Sequence, residues 1–224
     1  MTNTDHNHLQ GMKRLLWSVP VLLLTILVAA SCSDSDDGVE EYPDWQNRNQ
    51  TQWNSLYAQA QQKIAGNDNS WKIIKNWSLQ DSVKGANTDY IIVHVKSSGT
   101  GKGCPLYSDT VLVNYTGRLL PSTSYADGYQ FDSSWHGATT AETAAPWKSA
   151  VRGVTDGFAT ALQHMHVGDE WEVYVPWTLG YGTTATSNIP AYSVLVFDIQ
   201  LVNYYAAGES VPGFKAKRYA VEMK

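Results

Sequence analysis

From Tyr90 onward, apolar and polar residues alternate in short runs. Ile91, Val93 and Val95 alternate with Ile92, His94 and Lys96, and Val111, Val113 and Tyr115 with Leu112 and Asn114. Trp171, Val173 and Val175 alternate with Glu170, Glu172 and Tyr174; Leu195, Phe197, Ile199 and Leu201 alternate with Val196, Asp198 and Gln200. A period of two predicts strands with one buried face, the grammar of an antiparallel sheet. One helical pattern interrupts them: Val154, Phe158, Leu162 and Met165, ended by Gly168. A single helix packed on a twisted antiparallel sheet is an α+β domain.

Residues 39–88 read differently, being polar and rich in Asn and Gln. Trp53, Leu56, Tyr57, Ala60 and Ile64 recur at helical spacing, which predicts one helix from Asp44 to Gly66-Asn67. The stripe suits either a helix docked on the main domain or an oligomerisation arm; docking is preferred because no heptad is sustained. The strand-rich domain, about residues 88–205, is expected to fold without this helical N-terminal extension (44–88), since its own apolar faces form a closed set. Residues 206–224 read as a C-terminal tail.

The chain has 224 residues, 43% of them hydrophobic, with nine Trp and thirteen Tyr, so it is no disordered chain. A net charge of −5 without a basic cluster argues against a nucleic-acid partner. Two Cys cannot build a disulfide framework or a Cys-based zinc site. Lys13 and Arg14 precede an apolar run, Leu15 to Ala30, that closes on Ala29-Ala30-Ser31. This predicts a secretory signal peptide over residues 1–31. Cys32 follows directly, and here the segment resembles a bacterial lipoprotein signal, with Ala29 where that pattern has Leu. The resemblance implies a lipidated Cys32 as mature N-terminus and an acidic tether over residues 32–43, holding the protein at the cell envelope, on the outer membrane. An ordinary signal peptide or an uncleaved anchor stays open as the alternative.

Motifs for common chemistries are few. Gly99-x-Gly101-x-Gly103 precedes a strand rather than a helix N-terminus, so a turn is expected, not a phosphate loop. His164 and His166 stand two apart and are not expected to pair on a metal. Cys104 is expected to have no His beside it and to be a bystander thiol. Aromatic density is what remains distinctive.

Val111-Leu112-Val113-Asn114-Tyr115-Thr116-Gly117-Arg118-Leu119 and Asp127-Gly128-Tyr129-Gln130-Phe131-Asp132-Ser133-Ser134 resemble the FKBP-type peptidyl-prolyl isomerases. The likeness continues in order through Pro146-Trp147, Val154 to Phe158, Met165-His166-Val167-Gly168, Gly180-Tyr181-Gly182, Ile189-Pro190 and Leu195 to Leu201. It covers residues 90–203. The resemblance implies a sheet wrapped around one short helix and a pocket for proline, walled by Tyr115, Phe131, Trp147, Tyr181 and Phe197. It implies Phe158 as floor, Asp132 as a carboxylate at the wall, and Ile189 as an apolar lip. Val154 would line the pocket beside the backbone N–H of Thr155, a donor to the bound peptide. Phe131 and Asp132, being neighbours in a strand, are expected to point to different sides. Asn114, Thr155 and a lengthened Pro121–Ala126 hairpin depart from the family pattern. The expected partners are proline-containing polypeptides and, through the lipid, a membrane; no cofactor is implied. The function implied is isomerisation of X–Pro bonds in exported proteins, or else a noncatalytic peptide-binding module.

Overall fold

Helix α1 spans Trp45–Ala65. It begins after Asp44, whose left-handed φ of 49° turns the chain in, and it ends at Gly66 with Asn67 left-handed behind it. The computed structural model describes residues 40–135 and 145–213. The expected signal peptide, Cys32, the acidic run and residues 214–224 of the expected tail lie outside them. Glu40 and Glu41 are already bound to the fold, Glu41 accepting from Ser122 Oγ and from Ser124 N–H, so the tether ends earlier than expected.

The strands are β1 (Trp71–Lys75), β2 (Tyr90–Ser97), β3 (Thr110–Leu119), β4 (Gln130–Ser133), β5 (Trp147–Ala150), β6 (Glu170–Val175) and β7 (Leu195–Tyr205). They form one antiparallel sheet in the order β1-β2-β6-β7-β3-β4. Strand β3 is long enough to take two partners on its outer side: β5 pairs along Thr110–Val113 and β4 along Thr116–Arg118. Helix α2 is shorter than the sequence pattern suggests, Asp156–Leu162. Val154 stands before it in extended backbone, and Met165 is buried after it.

Register explains which face α2 covers. Val93, Val173, Phe197 and Gly117 lie in one row across four strands. Phe158 of α2 meets Phe197 at 5.0 Å and Tyr115 at 5.7 Å between ring centroids, so α2 lies on that face. Ile92 points the other way and is nevertheless wholly buried. Its cover is α1: Tyr57 reaches Tyr90, on the same side of β2 as Ile92, at 6.1 Å. Both faces of β2 are therefore dry, which is why Ile91, Ile92 and Val93 are all buried.

The extension is thus not helical throughout and not peripheral. Residues 71–75 form the edge strand β1, paired with β2 from Trp71 opposite His94 to Lys75 opposite Tyr90. Trp45, Trp53, Leu56 and Ala60 belong to the hydrophobic cluster of the sheet, whereas Ile64, expected on the stripe, is exposed. Asn49 takes a core position: its Oδ1 accepts the Val194 N–H at 2.8 Å and its Nδ2 donates to Trp45 O at 2.8 Å. A buried amide with its donor and acceptor both used contributes direction as well as energy.

The glycine run behaves as a turn. Gly99 N–H donates to Asp169 Oδ1 at 2.7 Å and Gly101 N–H to Val167 O at 3.1 Å. A Cβ at Gly99 would lie 2.2 Å from Val167 O, so only glycine admits this backbone contact.

Candidate active site

A cleft of about 440 Å³ opens beside the start of α2, between β3, β4, β5 and β7. Tyr115, Phe131, Trp147, Phe158, Tyr181 and Phe197 supply its aromatic surface, and Asp132, Val154 and Thr155 line it with them as expected, joined by Gly153. Ile189 is not among the lining residues. It is buried and faces a separate depression, bounded by Tyr42 and Tyr129, because the 186–190 turn directs it there.

The rings hold one another edge to face. Trp147 meets Tyr115 at 5.3 Å, Tyr115 meets Phe158, Phe158 meets Phe197, and Phe197 meets Phe131 at 5.7 Å. Each such contact places a positive ring edge on a negative face, worth about 0.5–1.5 kcal/mol beyond the buried area. Phe158 and Phe197 are 4% and 5% exposed, which makes the floor dry; Trp147 and Tyr181, at 37% and 44%, stand at the mouth.

Phe131 and Asp132 both line the cleft, contrary to simple strand alternation. The β3–β4 register shifts between Gly117 and Arg118, a bulge that gives β4 one extra residue there. Bulges turn consecutive side chains to one side. Asp132 Oδ2 accepts the Tyr115 hydroxyl at 2.6 Å, and Oδ1 accepts the Ser133 N–H at 2.8 Å. Burial first, then the bond to Asp132, pushes the Tyr115 phenol well above its ordinary range; burial and the Asp132 charge raise that of Tyr181. Both phenols therefore remain donors at any physiological pH.

Thr155 is the residue before α2, with φ −61° and ψ 153°, so its N–H stands outside the helical ladder. Its hydroxyl does not cap the helix and has no partner among the described residues. Gly117, within β3, lies directly beneath the Phe131 and Phe197 rings. A Cβ there would lie 2.6 Å from Phe131 Cε2 and 2.9 Å from Phe197 Cε1. Gly117→Ala is accordingly expected to push Phe131 into the cleft and to cost about 1–3 kcal/mol by overpacking. Thermal melting and a structure of the variant check this.

Away from the cleft, Cys104 Sγ lies 3.8 Å from His166 Nε2, so the expectation of no nearby histidine fails: the Gly99–Gly103 turn folds back on residues 166–169. Burial and Asp169 push the thiol upward, which keeps it protonated and poorly nucleophilic.

An antiparallel sheet clasping a short helix over an aromatic cleft is an FKBP-like fold. Residues 102–202 match the family model described as FKBP-type peptidyl-prolyl cis-trans isomerase. The chain is 38% identical over 112 residues to the macrophage infectivity potentiator of Trypanosoma cruzi, covering 50% of this chain and 51% of that protein. It is 34% identical over 128 residues to the FKBP-type 22 kDa peptidyl-prolyl cis-trans isomerase of Escherichia coli, covering 55% and 56%. The chain thus spans about half the length of these curated relatives. The crystal structure of FkpA from Escherichia coli shares the fold, with TM-score 0.51 at 22% identity over 91% of this chain and 75% of that one.

Proposed function

We propose that this protein is a peptidyl-prolyl cis–trans isomerase acting on exported polypeptides, held at the cell envelope, on the outer membrane, by a lipid on Cys32. The observation that carries the catalytic part is the dry aromatic cleft with an ordered Tyr115–Asp132 pair at its wall. Rotation about an X–Pro bond crosses a barrier of about 20 kcal/mol because the twisted amide loses its resonance. The twisted amide also loses charge separation, so it suffers less than the planar one from leaving water. A floor made by Phe158 and Phe197 therefore favours the transition state over the ground state, which is what acceleration requires. The proline ring would sit on these rings, beside the touching Tyr115 and Trp147. The Thr155 N–H and the Tyr181 hydroxyl would hold peptide carbonyls and fix the rotation axis. Asp132 would orient the Tyr115 hydroxyl and place negative charge where the amide is reorganised. No covalent step occurs and no cofactor is needed.

The direct test follows cis-to-trans conversion of short X–Pro peptides by the full chain, with several residues before proline. Acceleration over the buffer rate supports the isomerase. Peptide binding with no acceleration replaces it with the noncatalytic binding module.

The anchoring part rests on the apolar run that ends at Cys32 and the acidic residues after it. Acyl chains contribute about 0.8 kcal/mol per buried CH₂, so multiple acylation gives stable anchoring on a bilayer. Cys32→Ser is expected to move the protein from the membrane pellet to the soluble fraction. Unchanged sedimentation, with no fatty acid on the wild type, removes the lipid from the reading.

A further inference from the structure

A second depression, about 230 Å³, lies between Tyr42, Tyr129 and the 186–190 turn, with Ile189 and Pro190 in its lining. We propose that it is an auxiliary subsite that takes one aromatic or branched apolar side chain of the same polypeptide whose proline occupies the cleft. The proposal rests on the isomerase reading and adds a substrate preference to it.

Nearness to the cleft identifies the occupant. Tyr129 is two residues upstream of Phe131, which walls the cleft, so at most about 7 Å of backbone separates them. An extended peptide advances about 3.3 Å per residue, which puts the depression two to four residues from the bound proline. At roughly half the cleft volume it suits one side chain rather than a stretch of chain.

Its surface has the chemistry of an adaptable peptide contact. Tyr125 meets Tyr129 edge to face at 5.0 Å, and burial, then the Glu41 charge and the Tyr125 and Tyr129 phenols, raise the Tyr42 phenol above its ordinary range. Tyrosines present a large rigid apolar body with a polar tip, at small entropic cost on binding. Exposed Thr186, Ser187 and Asn188 supply hydrogen-bonding groups along the rim.

Both walls are fixed before any ligand arrives. Tyr42 packs on Trp45 at 4.8 Å, and the neighbouring Glu41 is bonded to Ser122 and Ser124 of the hairpin that carries Tyr129. On the other side, Thr186 and Ile189 exchange bonds, Thr186 N–H to Ile189 O at 2.9 Å and Ile189 N–H to Thr186 Oγ1 at 3.1 Å. Trp45 Nε1 donates to Ser193 Oγ at 2.8 Å, and Ser193 Oγ to Pro190 O at 2.7 Å, which ties α1 to this turn. A preorganised wall loses little freedom when it binds. Tyr42 belongs to the segment ahead of α1, so the extension supplies one side of the subsite.

The experiment uses the full chain and peptides with one central X–Pro, flanked by Gly or carrying a single Phe at the second, third or fourth residue on either side. Turnover and equilibrium binding are measured for each. One Phe position is expected to raise kcat/KM about three- to tenfold over the Gly peptide, through KM, the gain of one well-packed aromatic contact. Tyr42→Ala is expected to bring that ratio back to about one. If Tyr42→Ala melts early, Tyr42→Leu, which keeps the contact with Trp45, is expected to lower the Phe gain while leaving a Leu-bearing peptide favoured. Gly-peptide turnover with equal kcat/KM and equal binding for every Phe position overturns the subsite and leaves the isomerase standing. Absence of turnover on all peptides overturns the isomerase instead, and tighter binding of one Phe peptide, lost in the Tyr42 variant, then still upholds the subsite.

Discussion

A chain beginning at Thr88 is expected to show no cooperative thermal transition. The strand-rich domain looked self-sufficient as a sequence, yet its outer face borrows its cover. Trp53 is 1% exposed and Ala60 wholly buried, in the same cluster as Ile92. Truncating one buried Trp costs about 3–5 kcal/mol and one buried Leu about 2–5 kcal/mol. Deleting α1 removes Trp45, Trp53 and Leu56 together, against a total stability of about 5–15 kcal/mol for an ordinary domain. The same deletion strips β1 from β2 and leaves the Val194 N–H without Asn49. Trp53→Ala in the full chain is the graded version: at about 2–4 °C per kcal/mol, it should lower Tm by about 6–20 °C. Circular dichroism melts of both proteins check this. A truncated chain melting cooperatively near the parent temperature would return α1 to a peripheral role.

Asp132→Asn and Phe131→Leu are each expected to lower kcat/KM at least about tenfold, equivalent to about 1.4 kcal/mol of transition-state stabilisation, with melting temperatures near wild type. Asp132 Oδ2 is where the Tyr115 hydroxyl terminates at 2.6 Å. The Asn variant keeps the shape but replaces a charge-assisted bond with a neutral one, which is roughly half as strong. Phe131 touches Phe197 edge to face and overlies Gly117, so Leu keeps volume while losing the ring. Because Asp132 and Tyr115 act as a unit, Tyr115→Phe combined with Asp132→Asn should cost little more than either alone. Stopped kinetics on an X–Pro peptide, with melts in parallel, separate rate from folding. Equal losses in stability and rate for Asp132→Asn would make the pair structural.

Period-two alternation located β3, β6 and β7, because a half-buried strand records its exposure in its own residues. Trp53, Leu56 and Ala60 marked α1 for the same reason, and Gly66-Asn67 marked its end. Trp71-Lys72-Ile73-Ile74-Lys75 did not announce β1, since an edge strand under a helix has no clean alternation to show. The cleft residues were legible, all but Gly153, through ordered blocks of familiar residues rather than through any periodicity, whereas Ile189, expected among them, lies in the neighbouring depression. Tertiary structure alone decided that Phe131 and Asp132 share a side, because a bulge is a mismatch between two strands and is written in neither. It alone brought Asn49 to Val194 and Tyr42 to Tyr129, across separations far longer than any local pattern spans. A sequence fixes which face of each element avoids water. Which distant element supplies the cover depends on closing long loops around a common core, and only the folded chain settles that.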